Sequence, residues 1–194
     1  MNINTNNFEV NSPDQALQKL KQGNDSYLNS KNNSSDISAS LRENTAKNGQ
    51  EPYAVIVTCS DSRVPPEHIF SAGVGELFVI RTAGNVVDDF ALGSIEYGVK
   101  HLGAKIILVM GHSQCGAVSA AIAGQAEGYI NTILEEIKPG IRGVTDAAEA
   151  EKLNIANSSK KIMESDIVKE LVEKGSLAIV QARYELHSGK VTFF

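Results

Sequence analysis

The sequence predicts one α/β domain with a mostly parallel central sheet, flanking helices and an antiparallel edge strand at the C-terminus. Three apolar runs, at 53–58, 76–81 and 105–110, are continuous rather than alternating, as in strands buried on both faces. Helix-like segments separate these runs, and such alternation of strand and helix is typical of a parallel sheet. At 194 residues, one domain burying roughly 70% of its unfolded surface is expected.

The N-terminal part, residues 1–49, is predicted to be a helical arm ahead of an α/β part, residues 50–194. Ser12-Pro13-Asp14-Gln15 marks a helix start, because serine caps a helix, proline fits its first turn and glutamine follows the cap by three. A second, short helix is expected over 38–46. The arm can pack on its own sheet or on a partner chain, and the pattern favours neither.

Residues 88–102 are predicted to form a helix with two opposed stripes. One stripe consists of Leu92, Ile95, Val99 and Leu102, and the other of Phe90, Ser94, Tyr97 and His101. One face can cover the sheet, so the other, with two aromatic rings, needs a second surface. We expect a subunit interface there, with burial inside one subunit as the alternative.

The C-terminal third continues the alternation. Residues 128–143 are predicted to be irregular, because Pro139-Gly140 is a helix-breaking pair. A helical stretch over 146–173, a strand over 176–184 and an edge strand over 191–194 follow.

Two short polar stretches, each directly after a buried strand, carry the chemistry. Cys59-Ser-Asp-Ser-Arg63 follows the first strand, and His112-Ser-Gln-Cys115 follows the third. If the first stretch stays extended, its cysteine, aspartate and arginine point to one face. In the second, a helix start would favour a thiolate. Two sulfurs and an imidazole suit Zn²⁺ and leave a fourth position for water, beside which Asp61 and Arg63 would stand as a charged pair.

Other interpretations of these residues exist. The two cysteines could form a disulfide or remain inert buried thiols, but their polar neighbours favour a metal in a reducing compartment. A structural zinc site needs a fourth Cys or His, and the three other histidines, His68, His101 and His187, lack a matching spacing. Asp61 and Arg63 could also be an ordinary structural ion pair.

The pattern Cys-x-Asp-x-Arg followed by His-x-x-Cys resembles the β-class carbonic anhydrases, and it is highly specific. So do the surrounding words CSDSRVPPEHIF, GELFVIRTAGN, GSIEYGVKHLGA and GHSQCGAV, between about residues 50 and 118. The resemblance implies a Zn²⁺ enzyme that interconverts CO2 and bicarbonate, assembled as a homodimer or a dimer of dimers.

The resemblance also implies residue roles. Cys59, His112 and Cys115 would hold Zn²⁺, while Asp61, oriented by Arg63, would accept a hydrogen from the activated water. The substrate-binding positions of the family fall on Gln50, Phe78, Ala83 and Tyr97. Plain core packing is the alternative for the two aromatic residues. His101 is a candidate proton shuttle, since imidazole titrates near neutrality.

Some relatives have a closed state in which the aspartate itself binds zinc, stabilised by bicarbonate in an accessory pocket. That pocket uses a tryptophan three residues before the first zinc cysteine. Here this position is Ile56, and the chain contains no tryptophan. Arg81 matches the pocket's arginine, but it could equally hold the adjacent loop. We therefore expect an open site, with Asp61 paired to Arg63.

Two rival functions remain at this point. A carbonyl sulfide or carbon disulfide hydrolase could use the same scaffold, and a non-catalytic zinc-binding scaffold is an alternative of another class. A net charge of −5 argues against nucleic acid and anionic membranes as partners. The sequence has no apolar run of about 18–20 residues and no signal-like N-terminus, so we expect a cytoplasmic location.

Overall fold

The computed structural model describes residues 10–32 and 35–194 and is built around a five-stranded sheet. The strands are β1 Ala54–Cys59, β2 Leu77–Thr82, β3 Ile106–His112, β4 Ala178–Tyr184 and β5 Val191–Phe193. Their order is β2-β1-β3-β4-β5, with β1 to β4 parallel and β5 antiparallel at the edge. The predicted sheet is confirmed, including its antiparallel last strand.

Helices cover both faces of this sheet. They are α1 Pro13–Asn29, α2 Ala39–Asn48, α3 Pro66–Ile69, α4 Asp89–Lys100, α5 Gly116–Ala123, α6 Ile130–Ile141, α7 Ala147–Ile162 and α8 Asp166–Glu173, with one 3-10 turn at Ala83–Asn85. Ile56 and Leu108 pack with α1 on one face, while Val57 and Val109 pack with α4, α7 and α8 on the other. Successive strand residues thus serve opposite cores, which explains why the strands are continuously apolar.

Helix α1 packs on its own sheet. The Ser12 side chain caps it by accepting from the Gln15 amide at 3.3 Å, as predicted. Ala16 and Leu20 are fully buried in the core beneath it. Helix α2, in contrast, has no buried residue. Residues 1–9 of the predicted arm lie outside the described range.

Helix α6 occupies a segment that we predicted to be irregular, and that prediction was wrong. Its buried stripe consists of Leu134, Ile137 and Ile141. Pro139 stands in the last turn, where the apolar stripe outweighs the hydrogen bond that proline cannot make. Gly140 serves close packing rather than chain breaking, because a Cβ there would lie 2.7 Å from the Cβ of Asn157 on α7.

The predicted single helical stretch over 146–173 is two helices. Ser165 ends the continuity: its side chain accepts from the Val168 amide at 3.2 Å and caps α8. A serine that satisfies a free amide at a new helix start makes a break favourable here.

The carboxyl ends of the parallel strands form one edge of the sheet. Cys59 is opposite Thr82, and His112 is opposite Tyr184. Both polar stretches therefore leave the sheet at the same edge, where open α/β sheets usually bind ligands. In the described ranges, no helix has the length and apolar character needed to cross a bilayer.

Candidate metal centre

Cys59 is the last residue of β1 and is only 5% exposed. Its sulfur accepts backbone hydrogen bonds from the Gly84 amide at 3.2 Å and from the Asp61 amide at 3.4 Å. Amide donors of this kind stabilise a thiolate, the form of cysteine that binds metals.

Asp61 and Arg63 meet in a turn and not on an extended strand, because β1 ends at Cys59. The Asp61 carboxylate accepts from the Arg63 backbone amide at 2.9 Å, which closes the turn. The Arg63 side chain donates from Nε to Oδ1 at 2.9 Å and from Nη2 to Oδ2 at 2.7 Å. The pair is thus bidentate, and it fixes the plane of the carboxylate.

His112 ends β3 and is fully buried. Its Nδ1 lies 2.9 Å from the Ser113 carbonyl oxygen, which can only accept. Nδ1 therefore carries the hydrogen, and a neutral ring keeps its lone pair on Nε2. Nε2 has no hydrogen-bond partner among the described residues. Such a buried atom without a partner is costly and suggests a ligand.

The three candidate ligands form a compact cluster. The sulfur atoms of Cys59 and Cys115 and a ring nitrogen of His112 all lie within 4.8 Å of one another, and all three residues are buried. Cys115 occupies the N-cap position at the start of α5. A single ion can bridge atoms at these separations.

The electrostatics of the cluster favour the thiolate form of Cys59 over the thiolate form of Cys115. The neighbouring Cys115 thiol, helped by His112 and by the amides named above, outweighs burial and lowers the pKa of Cys59. The proximity of the Cys59 sulfur, together with burial, raises the pKa of Cys115. Burial disfavours a charged imidazole, but the Cys59 sulfur and the Ser113 carbonyl raise the pKa of His112. A cation would replace the protons that these groups share.

This donor set fits zinc at a site with an open position. Among the described residues the cluster contains two thiols and one imidazole, whereas a closed structural site needs four ligands. Asp61 comes close, with Oδ2 3.9 Å from the His112 Nε2, but both of its oxygens are bonded to Arg63. These hydrogen bonds hold the pKa of Asp61 well below its usual range, against a weaker effect of burial.

Arg81 holds the first loop. Its side chain donates from Nε to the Cys59 carbonyl at 3.0 Å and from Nη2 to the Asp61 carbonyl at 2.6 Å. Of the two roles open to Arg81 from the sequence, the structure shows the one within the loop. Ile56 is fully buried in the core of the sheet.

The predicted substrate residues divide into two groups. Ala83 follows the last residue of β2, which pairs with Cys59, and so lies beside the cluster. Gln50 precedes the opposite end of β1, and one strand length, roughly 17 Å, separates that end from Cys59. Phe78 pairs with Val55 in the same half of the sheet.

Tyr97 and His101 belong to that distant group. The Tyr97 ring lies 6.0 Å from the Phe78 ring and 5.5 Å from the His101 ring, measured between centroids. The structure therefore brings together the three candidate ligands with Asp61, Arg63 and Ala83. It does not bring Gln50, Phe78, Tyr97 or His101 to the cluster of the same chain.

A partly buried ion-pair network behind the second loop was not predicted. Glu151 on α7, 4% exposed, accepts from the Cys115 amide at 3.4 Å and from Arg183 Nε at 2.8 Å. Arg183 also donates to Glu185, which accepts from the Ser113 hydroxyl at 2.7 Å. The only signal in the sequence is polar spacing on α7, where Glu151, Asn154 and Ser158 recur on the buried face.

Comparisons with known proteins agree with this geometry. The family model for carbonic anhydrase matches residues 54–191. Carbonic anhydrase 2 of Mycobacterium tuberculosis is 38% identical over 189 residues, covering 92% of this chain and 91% of that protein. The carbonic anhydrase of Mycolicibacterium smegmatis is 37% identical over 153 residues, 73% of this chain and 74% of its own.

Solved structures give the same assignment. The β-carbonic anhydrase CafA of Aspergillus fumigatus superposes with a TM-score of 0.74 at 26% identity, covering 80% of each chain. One of two tetrameric β-carbonic anhydrases of Sordaria macrospora gives 0.70 at 26% identity, covering 80% of this chain and 91% of its own. The chain belongs to the carbonic anhydrase family, as an enzyme of its β class.

Proposed function

We propose that the chain interconverts CO2 and bicarbonate at a zinc ion held by Cys59, His112 and Cys115. The observation that carries this proposal is the His112 Nε2 atom, buried and without a partner among the described residues, beside two sulfurs. Three ligands of this chemistry leave one coordination position for a water molecule.

Zinc would supply the positive charge that lowers the pKa of a water molecule and makes it a nucleophile. The protein would orient that water. Asp61 lies at the edge of the cluster, and Arg63 fixes both of its oxygens while its pKa stays low. A carboxylate that remains ionised accepts the water's hydrogen and turns an oxygen lone pair toward carbon. The lowered pKa also makes Asp61 a poor carrier of the released proton.

We further propose that a second copy of the chain completes the substrate pocket. Gln50, Phe78 and Tyr97 lie far from the cluster of their own chain, yet the family resemblance assigns them to the substrate. The Tyr97 side chain is 47% exposed and Phe90, on the same helix, is 88% exposed. A stripe of exposed aromatic rings beside the edge strand β2 suits an interface between chains.

Subunit complementation tests this shared pocket. Cys115→Ala would remove the metal from its own chain, and Tyr97→Ala would weaken the pocket of the neighbour. If the pockets are shared, mixing the two inactive or impaired chains restores up to one intact site per heterodimer. Absence of recovery after exchange of subunits, or an active monomer in sedimentation, would contradict the proposal.

His101 is proposed to pass protons from the neighbouring site to buffer. Its ring is exposed and lies 5.5 Å from Tyr97. His101→Ala should slow turnover at low buffer concentration, and added imidazole should restore it. A variant with unchanged turnover in dilute buffer would remove this role.

The proposal requires a reducing compartment, for which the cytoplasm is our expectation. The chain has only two cysteines, and both are free, buried members of the cluster. Oxidation of either sulfur would remove a ligand.

The direct experiment is CO2 hydration followed by stopped flow, with zinc measured on the same sample. Hydrolysis of carbonyl sulfide and carbon disulfide is assayed in parallel. We expect one zinc per chain and fast CO2 hydration. A zinc-loaded protein that hydrolyses carbon disulfide but leaves CO2 untouched would overturn the proposal.

A further inference from the structure

The turn at Ala83–Asn85 connects the metal centre to helix α7. Its Gly84 amide donates to the Cys59 sulfur at 3.2 Å. Gly84 and the next residue, Asn85, both have left-handed backbones, with φ of 69° and 48°. Glycine adopts a left-handed backbone without strain, whereas at Asn85 this conformation persists because surrounding contacts hold it.

Two buried side chains of α7 hold this turn. Asn154, 1% exposed, donates from Nδ2 to the Gly84 carbonyl at 2.7 Å. Ser158, 2% exposed, lies 2.8 Å from the Asn85 carbonyl and accepts from the Asn85 side chain at 3.2 Å. Consecutive carbonyls of the turn are thus bound by residues one helical turn apart.

Burial of the Asn154 side chain in this position costs free energy of folding. Its Oδ1 is buried and has no hydrogen-bond partner among the described residues. An apolar side chain would avoid that cost but would leave the Gly84 carbonyl without its bond. The presence of the Asn154 side-chain amide is therefore explained by its role in positioning Gly84.

Space around Gly84 adds a further constraint. A Cβ at this position would lie 2.8 Å from Cδ1 of Ile137 and 3.0 Å from Cβ of Ala117. Glycine is needed for this close approach, but its backbone is also the least restricted. An unrestricted residue can aim its amide accurately at a sulfur only if neighbouring groups fix it.

We propose that Asn154 and Ser158 are positioning residues of the metal centre: they clamp the 83–85 turn so that the Gly84 amide donates to the Cys59 sulfur. The proposal rests on Cys59 being a metal ligand. An amide bonded to a coordinating sulfur withdraws electron density from it and fixes its direction. Supporting groups of this kind typically change metal affinity by about 10–100-fold.

Adjacent serines offer a matched test. Ser158 and Ser159 are both buried on α7, but Ser159 bonds only the Ile155 carbonyl of its own helix, at 2.9 Å. Ser158→Ala removes a contact to the turn, whereas Ser159→Ala removes a hydroxyl of equal size without touching it. Asn154→Ala should have the larger effect. If that variant does not fold, the comparison of Ser158→Ala with Ser159→Ala tests the proposal without it.

The experiment is titration of each metal-free protein with Co²⁺, recording the sulfur-to-cobalt charge-transfer band and the affinity. In Ser158→Ala and Asn154→Ala the sulfur holds its electrons less tightly, so the band should move to longer wavelength. Affinity should fall by about 10-fold, because the ligand is less well positioned. Ser159→Ala should match the wild type in both measurements.

The outcomes separate the two proposals. Suppose that the wild type shows the charge-transfer band, and that Ser158→Ala matches Ser159→Ala in both the band and the Co²⁺ affinity. The positioning role of Ser158 and Asn154 is then refuted, while the assignment of the metal centre is supported. If the wild type binds no Co²⁺ through sulfur, the metal centre is refuted, and the clamp with it.

Discussion

The two loops that carry the candidate ligands are held in different ways. In the first, Asp61 accepts three hydrogen bonds from Arg63, a residue only two positions away. In the second, Ser113 bonds Glu185 and the Cys115 amide bonds Glu151, contacts that span 72 and 36 residues. The Asp61–Arg63 pair is therefore local and lies at a partly exposed rim, although Arg81 also holds the backbone of this loop. The second loop depends on a partly buried network built by distant segments, in which Glu151 is the buried carboxylate.

This difference separates two kinds of variant. Changes in the first loop should alter the reaction and leave folding nearly unaffected, because exposed ion pairs contribute little to stability. Changes behind the second loop should alter folding and metal binding together, since a buried charge that loses its partner is costly.

The ligands themselves should not follow this division. Cys59→Ala and Cys115→Ala belong to different loops, yet each should lose zinc and reduce CO2 hydration to the uncatalysed rate. Two remaining ligands do not make a zinc site. Metal analysis and stopped flow on the same preparations measure both effects. Full zinc occupancy in Cys115→Ala would show that the cluster is not the metal site.

Arg63→Ala is the variant that isolates the first loop. It frees the Asp61 carboxylate to rotate, so CO2 hydration should fall by about 10–100-fold while zinc stays bound. Arg63→Lys keeps the charge but loses the bidentate contact, so its rate of CO2 hydration should lie between those of the wild type and Arg63→Ala. Arg142→Ala, at an exposed position, is the control. Near-normal CO2 hydration by Arg63→Ala would show that the Asp61–Arg63 ion pair has only a structural role.

Glu151→Gln isolates the second loop. The buried carboxylate bonds both Arg183 and the Cys115 amide. Loss of this carboxylate charge should lower the free energy of unfolding by about 2–3 kcal/mol. The effect should be smaller than for a fully buried ion pair, because Arg183 retains its ion pair with Glu185.

Zinc affinity of this variant should fall by about 10-fold. Denaturant unfolding and chelator competition give the two values. Glu164→Gln, which removes an exposed ion pair with Lys161, is the control and should change neither. Unchanged unfolding of Glu151→Gln would mean that the network is not what holds the second loop.

The smallest expected effect is the pH dependence of the Asp61–Arg63 pair. Hydrogen bonds from Arg63 lower the folded-state pKa of Asp61 from the ordinary value of 3.8. A lowered pKa stabilises the fold above that ordinary value, and the stabilisation disappears as pH falls toward the folded-state pKa. Urea midpoints of wild type and Arg63→Ala should therefore differ near pH 7 and converge below about pH 4. A difference that grows in acid would contradict the shift.

The same comparison explains what the sequence could predict. Asp61 and Arg63 are neighbours along the chain, so their ion pair could be predicted from local spacing, although the extended geometry assumed for it was wrong. The clustering of the candidate ligands could be predicted because parallel strands end at one edge, which places Cys59 and His112 together.

The support of the second loop could not be predicted. Glu151, Arg183 and Glu185 meet only after α7 and β4 are placed, and no local pattern links them. Helix α6 was missed for a related reason: Pro139 disfavours a helix locally, and only packing of the buried stripe against neighbouring helices reverses this. The assignment of Gln50, Phe78 and Tyr97 to a substrate pocket stays a prediction from the resemblance, because one chain alone does not bring them to the candidate ligands.

The central claim is that the Cys59, His112 and Cys115 cluster holds the zinc on which CO2 hydration depends. The most direct measurement is stopped-flow hydration by the purified protein before chelation, after zinc removal and after zinc return, with metal content determined at each step. Activity should follow zinc up to one ion per chain, vanish on removal and recover on return. Hydration that persists in zinc-free protein, or a fully loaded protein without hydration, would contradict the account.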